Sequence, residues 1–403
     1  MKKLVIFIVV LAVLGMAAFA GWFYWKNLRG AGPAFGPVEE DITEAIPQKK
    51  EEAEDALNKT DFPLGLPDGF VISIFAKDLS GARDMVVDGM GNVWVSRPGD
   101  GIITLLEIGD GGLVTNKNDV FKRMEGPHGL AVDPLNPLDL YIAEEDSVSR
   151  VELYTEDSLE KLVDLPTGGR HTTRSLVFGA DERLYVSIGS SCDTCVEEDE
   201  RRASIYVMEK NGSDFRKFAD GLRNSVFMTI HPETNELWAT EMGRDYLGDD
   251  LPPDEINIVE EGDYGWPYCY GKNVHDDEFD PDNEESCEDK KPSLIDLQAH
   301  SAPLGLDFVP EDIDWPEEYK HDLIVAYHGS WNRTIPTGYK LVRIKMGLKG
   351  LPEDTDYKVE DFIYGWLTES GESLGRPVDV LFMNDYLLVS DDKAGVIYKI
   401  DYQ

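Results

Sequence analysis

Six segments of this chain share one pattern: a small or basic opening, an apolar run of strand length, a polar turn, and a second apolar run. They are Ala82–Val87 leading to Val93–Val95, Gly126–Val132 leading to Leu140–Ile142, and Arg174–Phe178 leading to Leu184–Ile188. The others are Arg223–Phe227 leading to Leu237–Thr240, Ala302–Leu306 leading to Leu323–Ala326, and Gly375–Val380 leading to Tyr386–Ser390. Gly, Asp, Asn and Pro punctuate them, and the 3.6-residue period of long amphipathic helices is missing. A unit this small cannot bury both of its faces alone, so its repetition predicts blades stacked in a ring. The expected fold class is therefore all-β, a six-bladed β-propeller over residues 63–403, with Phe70–Phe75 as the outer strand that closes it. A β-sandwich fits less well, because sandwiches do not repeat one theme six times.

Ahead of the repeats, Lys2 and Lys3 precede a nearly unbroken apolar run from Leu4 to Trp25, followed by Lys26 and Arg29. A helix needs about twenty apolar residues to cross the hydrocarbon core. Trp22, Phe23, Tyr24 and Trp25 gather at the far end, where an aromatic belt meets the lipid–water boundary. Residues 1–26 read as a transmembrane anchor; the alternative is a signal peptide cleaved after Ala18-Phe19-Ala20. Signal segments usually have a shorter apolar stretch, and an aromatic cluster is an odd start for a mature chain. Either reading places the remainder outside the cytoplasm, membrane-anchored or secreted. Residues 27–62, with Ala31-Gly32-Pro33, Gly36-Pro37 and the run Glu51-Glu52-Ala53-Glu54-Asp55, read as a flexible acidic linker. A short helix over Lys49–Leu57 fits within it.

The 38 Lys and Arg stand against 78 Asp and Glu, a formal charge of −40 that argues against nucleic acid as a partner. With 42% hydrophobic residues the chain still has a globular composition. Four cysteines in an exported chain read as two disulfides, 192–195 and 269–287 being the favoured pairing, with a zinc site as the alternative. Val196 follows Cys195, so no c-type haem motif exists, and no complete dinucleotide-binding glycine fingerprint joins a strand to a helix. A redox cofactor here would be neither NAD in a Rossmann fold nor attached haem.

In a propeller, loops from distant parts of the sequence converge beside the central channel. The polar residues at those positions are His128, His171, Arg174, Arg223, Asn224, His300, Asn332, Arg333 and Arg376. Each alone reads as a capped histidine or an ion-paired arginine in an acidic chain. Their recurrence at equivalent places in successive repeats marks them as a candidate site.

Gly169-Arg170-His171-Thr172-Thr173-Arg174-Ser175-Leu176-Val177-Phe178-Gly179 resembles the catalytic-histidine segment of soluble-type quinoprotein sugar dehydrogenases. Gly221-Leu222-Arg223-Asn224, Glu241-Met242-Gly243-Arg244, Asp254-Glu255-Ile256-Asn257 and Tyr264-Gly265-Trp266-Pro267 are similar to further segments of that family, as is Gly375-Arg376-Pro377. Gly329-Ser330-Trp331-Asn332-Arg333 resembles the sorbosone and aldose sugar dehydrogenase branch. The resemblance spans nearly the whole chain beyond the linker.

It implies a propeller that carries pyrroloquinoline quinone (PQQ) and calcium and oxidises the C1 hydroxyl of an aldose, or a sugar-derived aldehyde. His171 would be the general base and Arg223 the group that stabilises the reduced quinone oxygen. Asn224, His128, Arg174, His300 and Asn332 would contact the cofactor, while Arg333 and Arg376 pair with its carboxylates. Main-chain carbonyls of Gly243 and Arg244 would bind calcium, and Glu255 with the Tyr264 carbonyl a second, structural ion. The sequence departs from the family pattern at Arg170, Val378, His128 and His300, departures that bear on the substrate more than on the cofactor. The implied partners are a sugar or aldehyde and an external electron acceptor, a membrane quinone or a cytochrome. Asn332 also opens a glycosylation sequon with Thr334. The rival functions are a calcium-dependent propeller lactonase and a non-enzymatic propeller that binds a protein or glycan.

Overall fold

Each repeat folds as an antiparallel sheet, because its apolar runs alternate across the pleat and its polar turns are short enough for hairpins. The structure, a computed structural model, describes residues 2–35, 57–109, 111–156, 158–347 and 357–403. From the channel outward, blade one comprises Met85–Val87, Val93–Arg97, Ile102–Ile108 and Val114–Lys122, and blade two Gly129–Val132, Asp139–Ala143, Ser147–Glu152 and Glu160–Asp164. Blade three comprises Arg174–Phe178, Leu184–Ile188, Ser204–Met208 and Arg216–Asp220, to which the two-residue strand Gly262–Asp263 adds in parallel. Blade four has Met228–Ile230, Leu237–Glu241, Asp254–Val259 and Ile295–Leu297, and blade five Pro303–Phe308, Leu323–Tyr327, Lys340–Lys345 and Lys358–Ile363. Blade six has Pro377–Phe382, Leu387–Asp391 and Val396–Tyr402. Its fourth strand is Phe70–Ala76, which pairs antiparallel with Val396–Tyr402 in the register Phe70↔Tyr402 and Ile72↔Ile400. The N-terminal end of the propeller thus completes the last blade, as the sequence predicts.

The innermost strands touch in cyclic order, blade one to two and on through six back to one. Closure leaves no exposed innermost edge. The closing blade is packed by aromatic rings: Phe70 sits edge-on to Trp315, Tyr319 and Phe362 at centroid distances of 4.8, 4.9 and 5.1 Å. Buried acids staple neighbouring innermost strands at the channel. Asp84 accepts the Leu130 N–H at 2.7 Å and Asp379 the Met85 N–H at 2.9 Å, each from the next blade.

The fourth repeat differs from expectation. Its innermost strand begins at Met228, and Arg223–Phe227 is irregular. The Asn224 N–H and Ser225 Oγ–H donate to Glu241 at 2.8 and 2.6 Å, so the segment bonds a side chain where a strand would bond a ladder partner. The edges of the linker differ as well. Asn27–Phe35 packs on the propeller, and Phe62, 6% exposed, lies in its core against Tyr398. The intervening 36–56, including most of the short helix expected over Lys49–Leu57, lies outside the described residues. The N-terminal helix runs Lys2–Phe23, continues as a wider turn over Tyr24–Leu28, and exposes most of its apolar side chains from Ile6 to Trp25. Both disulfides pair as expected, Cys192–Cys195 and Cys269–Cys287.

Candidate active site at the channel mouth

Antiparallel hairpins put two sets of positions at the same end of the channel: residues just before each innermost strand, and residues just after each second strand. The first set contains His128, His171, Arg174, Arg223, Asn224, His300 and Arg376 among the residues singled out from sequence; Asn332 and Arg333 follow the second strand of blade five and belong to the second. The second also contributes Ser190, His328, Asp245 and Asp392; the two acids do not stand out among 78, and Ser190 and His328 are not among the residues singled out from sequence.

His171 is held in one tautomer by its neighbours. Its Nδ1 lies 2.8 Å from Ser190 Oγ, and that hydroxyl donates its own proton to the Cys192 carbonyl at 2.7 Å. Ser190 Oγ therefore accepts from Nδ1–H, which leaves Nε2 as the unprotonated nitrogen able to take a proton. Burial, then the Arg223 and Arg170 charges, pull the imidazole pKa down to about 2 and hold it neutral. Asn224 converges on the same spot: a Cβ placed on Gly189 would stand 2.6 Å from His171 Cβ and 2.7 Å from Asn224 Oδ1. Only a glycine leaves room between them.

Arg223, 4% exposed, is fixed from two sides. Its Nη2 donates to Asp193 Oδ1 at 2.7 Å, its Nε to the Asp193 carbonyl at 2.9 Å and its Nη1 to the Met242 carbonyl at 3.1 Å. The Cys192–Cys195 disulfide loop thus carries both the carbonyl that orients Ser190, and through it His171, and the acid that holds Arg223. Asp245 is the hub beside them: it accepts from Arg170 and from Asn332 Nδ2 at 2.7 Å, and lies 3.6 Å from Arg223. Burial raises its pKa to about 6 against the pull of these arginines. Asn332 also lies 3.2 Å from His300 Nδ1, whose Nε2 is 2.8 Å from the Gly248 carbonyl. Asn332 is 4% exposed and doubly bonded, so the sequon is closed to a glycan.

A second cluster lines the same mouth. Asp392 lies 2.9 Å from Arg83 Nη1 and 3.0 Å from His328 Nε2, and Arg83 Nε lies 3.4 Å from His128 Nε2. Arg376 donates to the His328 and Gly329 carbonyls at 3.0 and 2.8 Å and faces the Tyr339 ring. His128 is fully enclosed, and burial drives its pKa well below the usual histidine range.

Arg174, expected among cofactor contacts, has a different place. It is 0% exposed and donates to the carbonyls of His171, Thr173 and Pro166 at 3.0, 2.9 and 2.7 Å. It holds the His171 loop from beneath. Arg333 donates to the Ala299 carbonyl at 3.0 Å, while its buried Nε has no partner.

The four residues expected at two metal sites line one small cavity of ≈ 20 Å³, together with Glu241, Asp276 and Arg223. About 10–15 Å³ suffices for one water-sized occupant. Burial pushes Glu241 up to about 8 and Glu255 up to about 7. The Asn257 side chain, which donates to Glu255 at 3.0 Å, has a buried Oδ1 with no partner. Strained buried carboxylates beside amide and carbonyl oxygens are the donor chemistry of a hard cation.

The fold is shared with several solved structures. The Trichoderma reesei enzyme of carbohydrate-active family AA12, in its calcium structure, superposes with a TM-score of 0.73 at 21% identity, over 85% of this chain and 98% of that one. The holo PQQ domain of pyranose dehydrogenase from Coprinopsis cinerea gives 0.71 at 20% identity over 85% and 98%. PQQ-bound aldose sugar dehydrogenase from Streptomyces coelicolor gives 0.60 at 17% identity over 84% and 100%. An uncharacterised protein of Borreliella burgdorferi is 34% identical over 229 residues, a match that spans 55% of this chain and 58% of that relative. The sequence model of the TrAA12-like family matches residues 64–403, the whole propeller with the strand that closes it. By that match, the chain belongs to the TrAA12-like family.

Proposed function

We propose that this protein is a PQQ- and calcium-dependent oxidoreductase that oxidises an aldose at C1, or a sugar-derived aldehyde such as sorbosone. We place it outside the cytoplasm on its N-terminal anchor, with electrons leaving to an external acceptor, a membrane quinone or a cytochrome. The observation that carries the reading is the convergence of a neutral, oriented imidazole and an amide on Gly189 at a channel mouth, with a fixed guanidinium whose charge acts on that imidazole. PQQ would supply a two-electron acceptor and calcium a Lewis acid that polarises it.

The protein's own groups have separable tasks. His171 Nε2 takes the proton of the sugar hydroxyl, a role worth about 10² to 10⁴ in rate. Ser190 and the Cys192 carbonyl fix its tautomer. Arg223 and Asn224 present donors where negative charge develops, and they are set before the reaction, which is why such groups stabilise a transition state strongly. Arg376 and Arg333 would hold carboxylates; the unpartnered Arg333 Nε is a donor awaiting an acceptor. The ≈ 20 Å³ cavity joining Gly243, Arg244, Glu255 and Tyr264 suits a single calcium ion, and we assign it one ion in place of two.

The rival readings have less support. A metal-dependent lactonase needs free acids around a central ion, yet Asp84 and Asp379 in the channel accept strand N–H groups, and the mouth is lined by arginine and histidine. A pure binding module leaves the oriented His171 without a task.

The test uses the full chain in detergent with PQQ, calcium and a panel of aldoses and aldehydes, following reduction of an artificial dye. Turnover that requires both PQQ and calcium is the expected result. Failure with every substrate, together with no thermal shift on adding PQQ, would refute the reading.

A further inference from the structure

The segment that leaves the N-terminal helix does not hang free. Phe23, at the helix end, meets the Tyr246 ring at 5.5 Å in a tilted contact, three residues beyond Gly243. The Gly30 N–H donates to the Arg333 carbonyl at 3.1 Å, Phe35 sits edge-on to Trp331 at 6.2 Å, and Lys393 Nζ donates to the Pro33 carbonyl at 3.0 Å. Asn27, Gly30 and Pro33 are buried. The strap therefore crosses the mouth rim over blades four, five and six, on the very loops that carry Asp245, Asn332 and Asp392. Beneath it, Tyr246 meets Trp331 at 5.8 Å, and Arg170 lies over Trp331 at 5.5 Å. A side chain at position 30 would collide with the Arg333 carbonyl, so the close seating needs glycine.

Depth follows from helix geometry. Residues 4–23 rise about 30 Å at 1.5 Å each, the thickness of a hydrocarbon core, which puts Phe23 at its outer boundary. Exposed Trp22, Tyr24 and Trp25 then fill the headgroup belt, with Lys26 over the Trp22 ring and Arg29 over the Trp25 ring. Tyr246, in ring contact with Phe23, must lie at that same level. The strap and the loops it crosses expose Phe35, Leu251 and Ile335 at 72, 49 and 69%.

We propose that the catalytic face of the propeller rests against the outer leaflet, with Tyr246, Trp331, Leu251 and Ile335 at headgroup depth and the mouth opening onto the bilayer surface. This rests on the anchored reading of the N-terminal helix, and it adds which face of the enzyme the membrane covers.

All four native cysteines are in disulfides, so a single added cysteine can be labelled cleanly. Full-length Ile335→Cys and Leu135→Cys chains, carrying an environment-sensitive fluorophore, are reconstituted into phosphatidylcholine vesicles containing a headgroup nitroxide lipid. Leu135 is 66% exposed in the turn at the far end of blade two. The label at 335 should lose most of its emission and that at 135 almost none. Adding Gly30→Leu to the 335 chain should restore emission while the protein still floats with the vesicles. If the protein floats and the two labels are quenched equally, the orientation is wrong although the anchor stands. If it does not float, the anchor reading itself fails and takes this one with it. Neither outcome depends on PQQ or on turnover.

Discussion

Gly189→Ala perturbs the proposed centre by one carbon atom. Gly189 does not occupy the left-handed backbone region, so alanine is acceptable to the main chain there. The added Cβ would stand 2.6 Å from His171 Cβ and 2.7 Å from Asn224 Oδ1, where carbon contacts settle at about 3.5–4.0 Å. The two side chains must therefore separate by about 1 Å, and a displacement of that size costs about 10²-fold in rate when it falls on a reacting group. Overpacking should cost only about 1–3 kcal/mol of stability. Expected is a kcat/KM near one hundredth of wild type, with folding intact and PQQ affinity, measured by fluorescence quenching, reduced less than the rate. Gly99→Ala, whose Cβ meets nothing within 4 Å, is the control and should behave as wild type. Activity of Gly189→Ala within twofold of wild type would refute the assignment of His171 and Asn224 to one reaction centre.

Three further perturbations separate the roles. Replacing Cys192 and Cys195 by serine frees the loop that orients His171 and holds Arg223. The chain-entropy cost of opening so short a loop is only about 2 kcal/mol, so the chain should fold while kcat falls more than PQQ affinity, read by steady-state kinetics. Arg174→Lys cannot span three carbonyls; kcat should drop with little change in PQQ binding, and an equal loss of both would return Arg174 to the cofactor contacts. His171 has a folded pKa far below the unfolded 6.5, so the folded chain binds fewer protons there than the unfolded chain. Its contribution to stability is thus complete above pH 6.5 and is lost as pH falls toward 2, at about 1.4 kcal/mol per pH unit. Urea denaturation should show His171→Gln losing less stability than wild type between pH 6.5 and 5.

The blades were legible in the sequence because a propeller writes itself locally: each hairpin needs alternating apolar residues and a nearby turn, and six copies reinforce one another. The closing strand Phe70–Ala76 was legible for the same reason. The residues before each innermost strand stood out because histidine and arginine are scarce in this chain. Asp193, Asp245 and Asp392 did not, since an acid among 78 carries no contrast and its partners lie far away in sequence, 52 residues between Asp193 and Asp245, and 309 between Arg83 and Asp392. Their position just after a second strand, or in the disulfide loop beyond it, was the available signal. Arg174 shows the opposite limit: residue type and phase located it, but only packing reveals that its donors point down into the loop. The docked strap was invisible too, because Phe35 and Trp331 meet through a contact that no local pattern encodes.

His171 is proposed as the base of a quinone-dependent sugar oxidation. A single-turnover experiment tests it most directly: the full chain loaded with PQQ and calcium is mixed with excess aldose, and quinone absorbance is followed without any dye. Complete reduction is expected of wild type, and in His171→Ala equal PQQ binding with reduction slowed by about 10² to 10⁴. Reduction at the wild-type rate in His171→Ala, or none in wild type with PQQ demonstrably bound, would contradict it.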